Sequence, residues 1–295
     1  MQKHQSFNEY LRNLYGCKVF KVSIDANFTC PNRDGTKSFG GCIFCDERGS
    51  STRVHKKKTP IKEQTLENIK IRKTRYKAKK FIAYFQSFSN TYDSVENLKF
   101  LYDSAIRVHP DIVGLSISTR SDCIDEEKLK LIASYRKFLP FVSIELGLQS
   151  MHDRTLKLIN RQEGLDDFIK AYHLIKKYNL HLCTHIMLGL PNETKEDMLQ
   201  TAKFLSKLNI DGVKLHNLIV LKNTELEKIY LDKKFKPLSY DEYIDIAKDF
   251  INILPNSCII HKMAGSAHPE DIVDSNYWIY KKKQEIENIL SKKNQ

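Results

Sequence analysis

Three cysteines stand close together early in the chain, in the run Cys30-Pro-Asn-Arg-Asp-Gly-Thr-Lys-Ser-Phe-Gly-Gly-Cys42-Ile-Phe-Cys45, a C-x11-C-x2-C spacing. Thiolates are soft ligands, and a compact set of them selects zinc or an iron–sulfur cluster. A closed structural zinc site takes four ligands, whereas three leave one metal position open. Gly35, Gly40 and Gly41 let this segment wrap around a bulky object without side-chain clashes. Ligand count and placement favour an iron–sulfur cluster with an open iron on Cys30, Cys42 and Cys45. The rival is a zinc knuckle completed by Cys17 or His55. Cys17 belongs at the start of the first strand segment, a strand's length away, while His55 is near enough to serve.

Other residues with chemical capacity fall at the ends of apolar runs. Arg120 follows such a run beside Asp122, and a guanidinium fork suits a carboxylate or a phosphate; the plain alternative is a surface Arg paired with Asp122. Glu145 sits between Ile144 and Leu146, where an ionised carboxylate needs a partner. Gln86 and Gln149 close two further runs, and Gln86 reads equally as a polar strand terminator. His185, Lys214 and His216 lie on later runs, Lys214 and His216 two residues apart and so on one strand face. A satisfied core histidine is the simpler reading of either His alone. Cys123 is a candidate hydrogen-atom donor or an ordinary buried thiol. Lys70–Lys80 carries seven cations in 11 residues, which suits a solvated helix face or an RNA contact.

The elements that must position these groups alternate. Strand segments are predicted at Cys17–Ile24, Phe81–Gln86, Ile112–Ser118, Phe141–Leu148, Leu180–Leu188 and Gly212–Leu218. Helical periodicity covers Ile61–Tyr76, Ser94–His109, Asp125–Phe138, Asp166–Tyr178 and Thr194–Leu208. Strand and helix alternating at about 30-residue intervals predicts βαβ units and a parallel α/β sheet. Six strands are fewer than the eight of a closed barrel, so the expected fold is an open, partial six-stranded (β/α)6 TIM-like barrel. Chemistry on such sheets sits at the carboxyl ends of the strands, and the first such loop, residues 25–58, is by far the longest. Residues 1–222 read as this core. Residues 223–295 read as a small C-terminal extension, with a helix at Ser239–Leu254, a short strand at Cys258–His261 and a terminal helix at Asn276–Lys293 containing Trp278.

Composition bounds the function. The 295 residues carry a formal net charge of +12 at pH 7, with 41% hydrophobic and 28% charged residues, as in ordinary globular proteins. No apolar run approaches the roughly 18 to 20 residues that span a bilayer, and Met1–Ser6 leads into no apolar signal core. A protein of the cytoplasm with no membrane contact is expected. Seven cysteines, an odd number, argue against a disulfide framework. The positive charge points toward a polyanion such as RNA, although a Lys-rich composition accounts for part of it.

The residue before the last cysteine is aromatic, Phe44, and Cys-x-aromatic-Cys after a strand resembles the radical S-adenosylmethionine (SAM) superfamily. The long first interval is similar to the branch that includes the elongator-type tRNA-modifying enzymes. Lys18–Asp25, Cys30–Thr36, Tyr84–Tyr92, Ile117–Cys123, Glu145–Ser150, His185–Pro191, Lys214–Leu218 and the Trp278 region resemble the YhcC-type subgroup, so the likeness covers essentially the whole chain. Arg48–Thr52, leading into the basic Lys56–Lys58, departs from its pattern. The resemblance implies a 4Fe–4S cluster on the three cysteines, with the amino and carboxylate groups of SAM on the fourth iron. It implies SAM contacts from Phe44, from Gln86 at the methionyl end, from Arg120, from Glu145 and Gln149 at the ribose, and from the Met187–Pro191 segment, including Leu188, against adenine. It also implies reduction by an external donor of flavodoxin or ferredoxin type, reductive cleavage of SAM to methionine and a 5′-deoxyadenosyl radical, and hydrogen abstraction from a substrate carbon. No general acid or base is singled out. The leading expected substrate is an RNA base in tRNA; the alternatives are a small metabolite, a protein, or no catalysis at all in a zinc-stabilised RNA-binding protein. The chain offers no length for an added acetyltransferase domain and no second cysteine triad, so neither the full elongator reaction nor second-cluster methylthiolation is expected.

Overall fold

Apolar and polar residues alternate along the strand segments, and the computed structural model, which describes residues 4–49, 59–274, 277–279 and 285–286, turns that alternation into two unlike faces of one sheet. The strands are β1 (Val19–Ile24), β2 (Lys80–Phe85), β3 (Ile112–Thr119), β4 (Phe141–Gln149), β5 (His181–Leu188), β6 (Gly212–Asn217) and β7 (Ile259–Lys262). They are all parallel and follow one another in chain order. The connecting helices are α1 (Phe7–Tyr15), α2 (Ile61–Tyr76), α3 (Val95–Ile106), α4 (Glu126–Ser134), α5 (Asp153–Leu158), α6 (Leu165–Lys177), α7 (Lys195–Leu208), α8 (Glu225–Leu231) and α9 (Tyr240–Ile253). Val22, Ile24, Phe85, Leu115, Ile117, Ile144, Leu182 and Leu215 face the helix layer and form the main core with Leu98, Tyr102, Phe168 and Phe250. Burying each such side chain stabilises the fold by about 1.5–3 kcal/mol.

The inner face is layered. At the amino ends of the strands, Val19, Ile82, Phe141 and Ile259 pack against Phe7 and Leu11 of α1, which closes the bottom. Above this plug the inward positions turn polar: Lys21, Tyr84, Ser116, Ser143, Glu145, Cys183, His185 and Lys214. α1 itself is fixed by a Ser6–Glu9 capping box and by Gly16, whose φ of 66° suits a glycine at the helix end.

The expected parallel α/β partial barrel is present, with one correction: the sheet has seven strands, not six. The segment expected as a short strand of the extension is β7, paired to β6 from Gly212–Ile259 to Lys214–Lys262. Gly212 permits the approach, since a Cβ there would lie 2.7 Å from the His261 ring. The link between the two strands carries α8 and α9 and breaks the 30-residue rhythm on which the count of six rested. The other edge of β7 is covered by the N-terminal segment, where Ile260 N donates to Gln5 O at 3.0 Å. Most of the expected terminal helix, and the basic Lys56–Lys58, lie outside the described residues. Trp278 is described, and its indole donates to Leu238 O at 3.0 Å. Among the described residues, no helix is long and apolar enough to cross a membrane.

Candidate active site

The carboxyl ends of the strands open into a cavity of about 520 Å3. Cys30, Cys42 and Cys45 all stand on its wall. The cysteine loop is built from local turns, with Arg33 N bonded to Cys30 O at 2.8 Å and Cys45 N to Cys42 O at 2.9 Å. Gly41 is required here: its φ is 87°, and a Cβ would meet the Arg33 guanidinium at 2.8 Å.

The loop is clamped from below by residues after α5. Asn32 Nδ2 donates to Asn160 O at 2.6 Å, Asn160 Nδ2 to Gly41 O at 2.8 Å, and Ile43 N to Ile159 O at 3.1 Å. Cys42 is buried, while Cys30 and Cys45 are partly exposed. Burial, with Cys42 nearby, pushes the Cys45 thiol up to about 12. Cys17 packs with the apolar plug at the opposite end of the barrel and is not a fourth ligand. His55 lies outside the described residues.

The remaining candidates separate into three groups. Phe44, Gln86, Gln149 and Arg120 line the cavity. Gln149 sits in a bulge at the end of β4 with φ 69°, a strained value for a residue with a side chain. Arg120 is 3% exposed. Its Nε and Nη2 donate to Asp122 at 2.8 and 2.7 Å, and its Nη1 to Arg161 O at 2.9 Å. The fork offered to a carboxylate or phosphate is therefore already occupied. Leu188 is buried under the helix layer, and its neighbour Met187 lines the cavity in its place, because alternate residues of a strand face opposite sides. Cys123 is buried beside Asp122 and is absent from the cavity wall, and burial pushes its thiol up to about 12.

Glu145 has a role that sequence reasoning did not give it. It is fully buried beneath the cavity, and both carboxylate oxygens are taken. Ser116 Oγ and Lys21 donate to Oε1; Tyr84 Oη at 3.0 Å, His185 Nε2 at 2.7 Å and Lys214 Nζ at 2.5 Å meet Oε2. Burial alone would raise its pKa, but Lys21 and Lys214, with His185, hold the carboxyl well below the usual range. Burial, reinforced by Lys214, pushes His185 down to about 4, so the ring is neutral and its Nε2–H is the donor. Lys214, His185 and His216 form the cavity floor, with the two rings 5.3 Å apart. His216 Nε2 is buried without a hydrogen-bond partner among the described residues.

Several residues on or just behind the wall escaped the sequence reading. Arg161 and Asn32 face Cys42 Sγ, and Arg48 ties Asp46 of the cysteine loop to Asp271 at 2.7 and 2.8 Å. The signal for Arg161 was its place in the polar run Asn160–Glu163, which carries Asn160 and Gln162 at positive φ. The basic run Lys70–Lys80 leads into the amino end of β2, so most of it lies at the end opposite the cavity mouth. Arg72 is its member on the cavity wall.

A profile of the radical SAM superfamily matches residues 30–205, and one of the radical SAM C-terminal domain matches residues 210–292. The chain is 33% identical over 261 residues to the protein YhcC of Escherichia coli strain K12, covering 88% of this chain and 83% of that one. It is 30% identical over 146 residues to a tRNA uridine(34) acetyltransferase of Methanocaldococcus infernus, covering 48% of this chain and 27% of the other. A solved structure of the archaeal Elp3 of that organism superposes with a TM-score of 0.66 at 21% identity, over 91% of this chain and 63% of that one. The chain belongs to the radical SAM superfamily, among YhcC-type proteins, and is an enzyme of that class.

Proposed function

We propose that Cys30, Cys42 and Cys45 hold a 4Fe–4S cluster, that SAM binds beside it across the ends of β2 to β5, and that the substrate is a nucleobase of RNA, in tRNA. The single observation that carries the reading is the placement of all three cysteines on one wall of a cavity whose floor is the polar barrel lumen. When bound, the cluster supplies one electron, taken from an external donor, for cleaving the sulfur–carbon bond of SAM into methionine and a 5′-deoxyadenosyl radical. The chain's own residues bind, orient and exclude water. Phe44 and Met187 offer apolar surface, Gln86 and Gln149 offer amide donors and acceptors, and the floor of Lys214, His185 and His216 faces the substrate.

The sulfurs also bear on the zinc rival. Zinc–sulfur bonds of about 2.3 Å in a tetrahedron set sulfurs about 3.8 Å apart. Among the described residues, the group whose donor atoms all fall within 4.8 Å is Glu145, Cys183 and His185, not the cysteine triad. A multi-iron cluster spreads its ligands more widely than one ion does. Glu145 is an unsuitable cation ligand, because two ammonium groups already hold it.

The RNA assignment draws on the +12 charge and on likeness to an enzyme named for a tRNA uridine. Anaerobic reconstitution with iron and sulfide, then dithionite and SAM, should give a brown protein that releases 5′-deoxyadenosine. Stoichiometric zinc without a chromophore would promote the non-catalytic rival. Nucleosides in tRNA from cells with and without the protein, compared by mass spectrometry, should differ in one modification. The purified protein should lose tRNA affinity steeply between about 50 and 200 mM salt. An unchanged nucleoside profile together with salt-insensitive binding would transfer the substrate to a small metabolite or a protein.

A further inference from the structure

Cys42 differs from its neighbour Cys45 in what faces its sulfur. Asn32 Nδ2 lies 3.6 Å and Arg161 Nη1 3.8 Å from Cys42 Sγ, both as donors. Cys45 Sγ instead lies 3.6 Å from the carbonyl oxygen of Asp46, an acceptor. Arg161 is held rigidly. Its Nη2 donates to Gly147 O at 2.7 Å, Glu163 pairs with it, and its own carbonyl accepts from Arg120 Nη1 at 2.9 Å. A Cβ on residue 147 would lie 3.0 Å from Arg161 Nη2, so the glycine makes room for the guanidinium.

The pairing continues outward. Glu163 accepts from Ser121 N at 3.1 Å and stands 3.8 Å from Arg120; Arg120 grips Asp122, which takes Lys37 Nζ at 2.6 Å. Lys37, Asp122, Arg120, Glu163 and Arg161 thus alternate in sign. Three cations face two carboxylates, and the cation at the inner end points at Cys42. A guanidinium stays charged throughout the accessible pH range.

We propose that Arg161, seconded by Asn32, is a positioning residue that raises the reduction potential of the cluster through N–H contacts to Cys42 Sγ. The inference rests on the reading of Cys42 as a cluster ligand. Reduction adds one electron, delivered by the external donor, and no bond or proton changes at Arg161. The reduced cluster is the more negative state, so a fixed cation and N–H donors at a ligand sulfur stabilise it more than the oxidised state.

The test uses the full chain, reconstituted anaerobically, as wild type, R161Q, R161K and N32A. Iron and sulfide content are measured, together with the midpoint potential from a redox titration followed by electron paramagnetic resonance without SAM. R161Q should keep its iron and shift to a more negative midpoint. R161K should fall between R161Q and wild type, and N32A should shift in the same direction by less. An iron-loaded R161Q with the wild-type midpoint, or a shift to more positive potential, overturns the inference. If R161Q takes up no cluster, N32A decides by the same criterion. A wild-type chain that itself takes up no cluster refutes the cofactor reading, whereas a loaded wild type with unmoved variants refutes the role of Arg161 alone.

Discussion

Lys214 on β6 and Glu145 on β4 meet across the barrel with Nζ 2.5 Å from Oε2, although β5 lies between their strands. The contact is one of two ammonium groups on a single buried carboxylate, the other coming from Lys21 on β1. Glu145→Gln would leave two buried cations without their counter-charge, at a cost of about 3–5 kcal/mol. Lys214→Met would leave Glu145 still paired with Lys21 and should cost less. Urea unfolding monitored by circular dichroism orders the two; equal midpoints would contradict the shared-carboxylate account.

Acid should weaken the fold through its buried histidines. His185 is held down to about 4, against an ordinary value of 6.5. Below pH 6.5 the unfolded chain binds the proton and the folded chain does not, so stability falls as pH drops from 6.5 toward 4. The largest contribution from this one residue is about 3 kcal/mol, at 1.36 kcal/mol per pH unit. His185→Phe should flatten the dependence of melting temperature on pH across that window. A slope unchanged by the substitution would show that His185 is not its source.

The cysteines should divide cleanly. Cys30→Ala, Cys42→Ala and Cys45→Ala should each abolish stable iron binding after reconstitution, while Cys17→Ala and Cys123→Ala should keep the wild-type iron content. Cys17 sits in the apolar plug and Cys123 behind the wall. Loss of iron in Cys17→Ala would restore it as a ligand.

Gly147→Ala should disturb the wall without touching a cysteine. Its Cβ would lie 2.7 Å from Gln149 Nε2 and 3.0 Å from Arg161 Nη2. The crowding should lower stability by about 1–3 kcal/mol, read from thermal unfolding. Pairing it with Gln149→Ala, which removes the nearer of the two groups, should recover part of the loss. Strict additivity of the two would place the strain elsewhere.

The sheet and the cysteine loop were legible in the sequence because both are local signals. Apolar runs at a 30-residue rhythm place β1 to β6 within a residue or two, and α2 at Ile61–Tyr76 falls where its periodicity put it. β7 was legible as a strand but not as part of the sheet, since pairing with β6 depends on how α8 and α9 fold in between. Glu145 was singled out because a carboxylate between Ile144 and Leu146 needs a partner. Those partners, Lys21, Tyr84, Ser116, His185 and Lys214, come from five other strands, and only the curvature of the sheet brings them to one point. Arg120 was read as a ligand clamp because Arg161 O, its third acceptor, is 41 residues away in sequence.

The N-terminal cover on β7 has a consequence for how the protein is made. His4 Nδ1 and Cys258 O lie 3.4 Å apart while separated by 254 positions in the chain, and Gln5 O accepts from Ile260 N beside them. A ribosome adding about 5–20 residues per second needs roughly 13 to 50 s to travel that distance. For much of that interval α1 has left the tunnel while its partners on β7 are still unsynthesised. The apolar plug of Phe7, Leu11, Val19, Ile82 and Phe141 lacks Ile259 until β7 is made. The barrel floor is therefore completed only once β7 has been made, and a chain released before residue 259 cannot seal it.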